Sequence, residues 1–176
     1  ELILAQYRQQ QAAYRSQQRA LNKLKKTAAQ TQDNEEIELL ANIESSEDIK
    51  ALHQLGADGV GLLRSEFLFL NRDAPPDEDE QYRFYTDIVK KLKGKPLTIR
   101  TIDLGVDKNP RWFGQNATPN GSLNPALGLT GIRLSLAEPV MFRTQMRAIL
   151  RAAAEGPVKI MWPMITSVDE IKQCRV

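Results

Sequence analysis

From Glu36 onward the sequence alternates, four times over, between a short apolar run and an amphipathic stretch, with no hairpin signal joining one run to the next. Strands that all run the same way must pair in parallel and return by right-handed crossovers, so this pattern excludes a meander or a helical bundle. Ile37–Ile43 reads as the first strand. Ser45-Ser46-Glu47-Asp48 has the spacing of a capping box, and Ile49, Leu52 and Leu55 mark a helix face that stops at Gly56. Gly59–Leu63 is the second strand. After a loop with Pro75-Pro76-Asp77, the residues Tyr82, Tyr85, Val89 and Leu92 predict a helix ending at Gly94. Pro96–Ile102 is the third strand; a long loop leads to a stripe of Phe142, Met146, Ile149, Leu150 and Ala153 that ends at Gly156. Val158–Trp162 is the fourth strand, and Ser167-Val168-Asp169-Glu170 caps a final helix.

An eight-unit parallel barrel needs about 250 residues, so residues 31–176 match the N-terminal half of a (β/α)8 TIM-type barrel, an α/β fold. A four-stranded doubly wound sheet is the alternative. Residues 1–30 differ in kind. They hold no Gly or Pro, carry six basic residues against Glu1 alone for a net +5, and repeat Tyr7, Tyr14 and Leu21 every seven residues. One long helix is expected there, as a linker between domains, a solvated terminal helix or a coiled-coil strand.

Composition narrows the function. A net charge of +2 over 176 residues is too weak a field to hold a nucleic acid by counterion release, and no apolar run approaches the roughly 18 residues of a membrane span. With a single Cys, Cys174, no internal disulfide is possible, and nothing like a signal peptide opens the chain, so a cytoplasmic location is expected. One His, His53, leaves no His-based metal cluster or Ser/His/Asp triad within the chain. Both His53, on a helix surface, and Cys174, as a small buried hydrophobe, read as structural. Chemistry is left to Arg, Lys, Asp, Glu and the backbone.

The unusual residues gather after the strands, where parallel barrels keep their sites. Arg64 follows the second strand inside Gly59-Val60-Gly61-Leu62-Leu63-Arg64-Ser65-Glu66-Phe67, and Arg100 ends the third inside Ile99-Arg100-Thr101-Ile102-Asp103-Leu104-Gly105-Val106-Asp107-Lys108. On neighbouring parallel strands their guanidinium forks can converge on one phosphate, binding it bidentately and staying charged throughout. Lys108 adds a point charge, and Asp103 and Asp107 can orient the cations. The ordinary alternative is that each Arg makes a surface salt bridge.

These segments resemble enzyme I of the bacterial phosphotransferase system, the phosphoenolpyruvate-protein phosphotransferases. Gly56–Leu70 is similar to the first arginine motif of its phosphoenolpyruvate-binding barrel, and Ile99–Gly105 with Asp107-Lys108 to the second. Asn124-Pro125-Ala126-Leu127-Gly128, the helix from Arg143 to Gly156, and Met161-Trp162-Pro163-Met164-Ile165 extend the match in order. Pyruvate phosphate dikinase and phosphoenolpyruvate synthase share the barrel with weaker versions of these motifs. Thr130 stands where the family commonly has an Arg, with Arg133 three residues on.

The resemblance implies that residues 1–30 are the linker helix and residues 31–176 the first four βα units of the barrel. It implies that Arg64 and Arg100, with Lys108 near by, bind the phosphoryl group of phosphoenolpyruvate. With Mg²⁺, that group would pass to a histidine on a separate domain and on to the phosphocarrier protein, for sugar transport or nitrogen regulation. The parent is expected to be a homodimer. The resemblance puts the phosphorylated histidine, the metal-binding carboxylates and the acid cysteine outside this chain, so no catalytic residue or metal ligand is assigned within it. Alone it is expected to be inactive. A dikinase or synthase fragment, or a barrel that mainly dimerises or serves regulation, are the rival readings.

Overall fold

Short strands rich in Leu, Val and Ile alternate with helices through most of the chain, and a computed structural model describes residues 2–25, 27–104 and 128–175. Helix α1 (Leu2–Leu24) precedes strand β1 (Leu40–Ile43), helix α2 (Asp48–Leu55) and strand β2 (Gly59–Arg64). Helix α3 (Glu78–Leu92) leads to strand β3 (Leu97–Arg100); then come helices α4 (Gly131–Ala137) and α5 (Pro139–Ala152), strand β4 (Val158–Met161) and helix α6 (Val168–Cys174). The four strands pair in parallel in the order β1-β2-β3-β4. A doubly wound sheet needs the order to reverse at a switch point. Here it does not.

Sequential parallel strands with right-handed crossovers place their helices on one face. The core agrees with that. Ile49 and Leu52 of α2, Tyr85, Ile88 and Leu92 of α3, and Ala148, Ile149 and Ala152 of α5 pack with Val60, Leu63, Leu97 and Ile99 of the sheet. Each fully buried Leu or Ile contributes about 1.5–3 kcal/mol. Along β3 the alternation is plain: Leu97 and Ile99 are buried under the helices, while Thr98 and Arg100 on the other face are half-buried. At β4 that face is open, with Lys159 and Met161 exposed.

Several elements differ from the sequence reading. The first strand is shorter, because residues 29–37 make their own turn: Gln30 bridges Glu36 in antiparallel fashion and the Ile37 N–H donates to the Ala29 carbonyl, leaving Ile37 and Leu39 exposed. Helix α4 falls inside what reads as a long loop. In α5 the buried stripe is Phe142, Gln145, Ala148, Ile149 and Ala152, whereas Leu150 is exposed, one residue off the face that meets the sheet. Leu55 is likewise exposed at the end of α2. The box expected at Ser45 does not cap α2 itself, whose cap residue is Glu47 with no side-chain bond. Its partners instead bond across the turn before the helix: Asp48 Oδ2 accepts from the Glu44 and Ser45 N–H groups at 3.0 and 3.1 Å, and Ser45 Oγ from Glu47 N–H. The box at Ser167 and Glu170 forms as expected.

Helix α1 lies outside all this packing. Tyr7, Tyr14 and Leu21 are on its surface and exposed. Its C-terminal end comes against Gly56, whose φ of 78° closes α2; a Cβ there would collide with the Lys25 carbonyl, so glycine is required twice over.

Candidate functional site

Strand β2 ends at Arg64 and β3 at Arg100, and the register places Arg64 directly opposite Arg100, with Arg100 opposite Met161 of β4. Side chains in register on neighbouring parallel strands leave the sheet on the same face, so both arginines rise side by side at its C-terminal end. That is the juxtaposition expected from sequence.

Their partners differ. Arg64 Nη1 donates to Glu44 Oε1 at 2.8 Å, and the side chains are 42% and 45% exposed. Arg100 is more enclosed at 21%: its Nη2 donates to Glu66 Oε1, whose side chain is only 9% exposed, and its Nη1 pairs with Asp103 Oδ2 at 3.2 Å. Asp103 therefore orients an arginine as read from sequence. Lys108 and Asp107 lie outside the described residues, as do Asn124 to Leu127. One oxygen of the pair is left over, since Glu66 Oε2 is buried with no hydrogen-bond partner, as is Arg100 Nε.

The backbone carrying the arginines is held from beneath. Ser65 Oγ donates to the Arg100 carbonyl at 2.6 Å and accepts from Gln145 Nε2 at 3.0 Å. Gln145 Nε2 also donates to the Tyr85 hydroxyl at 3.1 Å, and its Oε1 accepts from the Ile102 N–H at 3.0 Å. Ser65, Gln145, Tyr85 and Ile102 are fully buried. Burial pushes the Tyr85 phenol far above its ordinary pKa, so it remains a neutral member of the network. Thr130 Oγ1 donates to the Leu104 carbonyl at 2.7 Å; the Thr is buried and serves as a tie between the segment after β3 and the start of α4.

The sequence reading missed Glu44, Glu66, Ser65 and Gln145. Glu44 and Glu66 had a findable signal, because each sits just past a strand end, the criterion that selected the arginines. For Gln145 the signal was a polar residue at i+3 from Phe142 and i−4 from Ile149, on the face of α5 that had to be apolar.

His53 is exposed on α2, with Nε2 2.9 Å from the Lys91 carbonyl. Cys174 is buried beside Ile132 and Phe142, and burial, with Glu170 adding to it, raises its thiol pKa, which keeps it protonated and unreactive. Both fit the structural roles expected of them. Among the described residues no helix is long and apolar enough to cross a membrane.

Residues 18–176 match the family model described as PEP-utilising enzyme, PEP-binding domain. The chain belongs to that family. Relatives of this PEP-binding domain family bear out the resemblance drawn from the two arginine motifs. The chain is 50% identical over 98% of its length to the phosphoenolpyruvate-protein phosphotransferase of Cupriavidus necator, and 39% identical over 97% to that of Bacillus subtilis. It is 46% identical over 84% of its length to the multiphosphoryl transfer protein of Rhodobacter capsulatus. The chain spans 29% of the length of the first two and 17% of the third.

Proposed function

We propose that this chain is the part of a cytoplasmic, homodimeric phosphoenolpyruvate-protein phosphotransferase that grips the phosphoryl group of phosphoenolpyruvate. Residues 31–176 are the first four units of a (β/α)8 barrel and residues 1–30 the linker helix before it. The sequential strand order, the single helical layer and the open face of β4 support that placement.

The observation that carries the reading is the register of Arg64 against Arg100 at the C-terminal ends of adjacent parallel strands. Two guanidinium forks there offer up to four N–H donors to the non-bridging oxygens of one phosphate. To reach them, the phosphate displaces Glu44 from Arg64, which costs little at an exposed pair, and shares Arg100 with Glu66 and Asp103. Fixed positive charge then stabilises the phosphoryl group as it moves to a histidine of the same protein, and from there to the phosphocarrier protein. Lys108 adds to that charge. Two of the relatives named above are phosphoenolpyruvate-protein phosphotransferases and the third a multiphosphoryl transfer protein, which favours this reading over a dikinase or synthase.

Mg²⁺ belongs to the proposal, but the described residues do not fit a site for it. No group of three or more His, Cys, Asp or Glu among them is placed to hold a metal, and Glu44, Glu66 and Asp103 are each taken up by an arginine. The metal ligands are assigned to parts of the parent protein outside this chain.

The test is transfer of label from radioactive phosphoenolpyruvate to the full-length parent carrying Arg64→Ala or Arg100→Ala. Loss of transfer in both is expected; normal rates in both overturn the reading.

A further inference from the structure

Strand ladders normally fix the backbone on which a site is built, yet here the ladder between β2 and β3 stops at the arginines themselves, and toward β4 it runs one bond further, from the Thr101 N–H to the Met161 carbonyl. Around that point the Arg100 carbonyl and the buried Ile102 N–H take side-chain partners. The partners lead to one side chain. Gln145 accepts from Ile102, two residues after Arg100, and donates to Ser65, the residue after Arg64, whose hydroxyl in turn donates to the Arg100 carbonyl. The backbone N–H can only donate, so Oε1 must face Ile102 and both Nε2 protons are directed to Ser65 and Tyr85. The amide therefore spends both donors, and the order of donation down to the Arg100 carbonyl is fixed.

We propose that Gln145 is a positioning residue for the phosphate-binding arginines: one buried amide on α5 splices the ends of β2 and β3 and so sets the spacing of Arg64 and Arg100. The inference rests on the phosphate-gripping role of those arginines given above. Gln145 is fully buried at the layer between α5 and the sheet and acts through the backbone. Its arm to Tyr85 does a different job. The Tyr85 hydroxyl lies at 3.5 Å from Gln81 Oε1, and Gln81 Nε2 donates to the Pro76 carbonyl, so that arm runs on to the loop before α3, although the phenol also meets the Ser65 hydroxyl.

The branching gives a test. In the full-length parent, Gln145→Met keeps volume and burial but cuts the links to Ile102, Ser65 and Tyr85; Ser65→Ala removes the hydroxyl that joins Gln145 to the Arg100 carbonyl; and Tyr85→Phe removes the loop arm while leaving that hydroxyl bonded to both. Displacing a binding group by a fraction of an ångström to an ångström costs up to about a hundredfold, so KM for phosphoenolpyruvate should rise about tenfold or more in Gln145→Met and Ser65→Ala. The double variant should fall short of the sum of the two effects, because Gln145 and Ser65 are in contact and share the bond between them, while Ser65→Ala alone also removes the bond to the Arg100 carbonyl. Tyr85→Phe should lower Tm and leave KM unchanged. Hydrogen exchange at the Ile102 amide should speed up in Gln145→Met. A merely structural Gln145 would lower Tm in all three variants and move KM in none, which overturns the proposal. Ser65→Ala removes only a hydroxyl, so it decides the matter if Gln145→Met does not fold: a wild-type KM there overturns it. Arg100→Ala run alongside separates the two claims. If that variant transfers phosphoryl normally, the arginine site itself is wrong; if it fails while Ser65→Ala keeps its KM, only the role of Gln145 falls.

Discussion

Arg64 and Arg100 share a register position on adjacent strands and differ in almost everything around it. Arg64 pairs with one carboxylate, Glu44, and both are more than two-fifths exposed; Arg100 pairs with Glu66 and Asp103 in a pocket where Glu66 is nearly out of solvent. The exposed pair is screened by salt and water and contributes roughly 0–1 kcal/mol. The enclosed one has desolvated its carboxylate, so removing either partner strands the other. One arginine is easily released to a ligand, and the other is a fixed point of the fold.

Removing each arginine is the largest perturbation and should split the two ends in one respect only. Arg64→Ala and Arg100→Ala should each lower phosphoryl transfer by the parent about 10²–10³-fold, as for loss of one preorganised electrostatic contact. Only Arg100→Ala should also lower the melting temperature, because it leaves the Glu66 carboxylate buried without its cation. Equal Tm values for the two variants break the comparison.

Glu66→Gln tests the enclosed end directly. It leaves Arg100 with Asp103 alone, and urea denaturation should show a loss of about 2 kcal/mol, below the roughly 3–5 kcal/mol of a fully buried pair because Asp103 and some solvent remain. A loss under about 0.5 kcal/mol would place Glu66 among ordinary surface acids.

The sequence carried the arginines and the four βα units because both rest on local pattern: apolar runs of strand length, helix stripes, and charged residues immediately after a strand. It did not carry the difference between the two ends. That depends on which acids three strands bring together, Glu44 from the end of β1 and Glu66 from beyond β2, and on how far each pair is enclosed. The same limit applies to Gln145, which looks like an interruption of an apolar stripe until Ser65 and Ile102 are placed against it. Helix α1 shows the converse. Its stripe of Tyr7, Tyr14 and Leu21 was as regular as that of α5, but periodicity does not say whether anything lies opposite, and here those residues are exposed. Helix α4 has only 7 residues, two turns in which an apolar stripe barely repeats, and it opens on Gly131 at φ 56°, where the Ile132 N–H donates to the Pro163 carbonyl.

Acid should distinguish the ends as well. The turn bearing Glu44 is held by the Asp48 carboxylate, and the N–H groups of Glu44 and Ser45 bonded to it keep its pKa below the ordinary Asp value. A folded-state pKa lower than the unfolded one means that this contribution is complete above the unfolded value and is lost as pH falls through the folded one. At the enclosed end the Ile102 N–H itself is bonded to neutral groups, Gln145 and through it Ser65 and Tyr85, with the ion pairs of Arg100 beside them. Between about pH 5 and 2, amide protection at Glu44 and Ser45 should therefore fall before protection at Ile102. Simultaneous loss would mean that both ends open only with the whole fold.

The smallest effect belongs to Glu44→Gln, and it is the most specific to the exposed end. If Glu44 only parks Arg64 between ligands, its charge adds little to folding and competes with the incoming phosphate. Stability should then change by less than about 0.5 kcal/mol, as for an exposed ion pair. Phosphoenolpyruvate should bind the parent slightly more tightly at low salt, by about twofold, since the anion no longer displaces a carboxylate and meets one negative charge fewer. Raising the ionic strength to about 1 M, where the Debye length is near 3 Å, should erase that gain. Weaker binding in Glu44→Gln would mean that the carboxylate aims Arg64 at the ligand, and the two ends would then differ in exposure but not in kind.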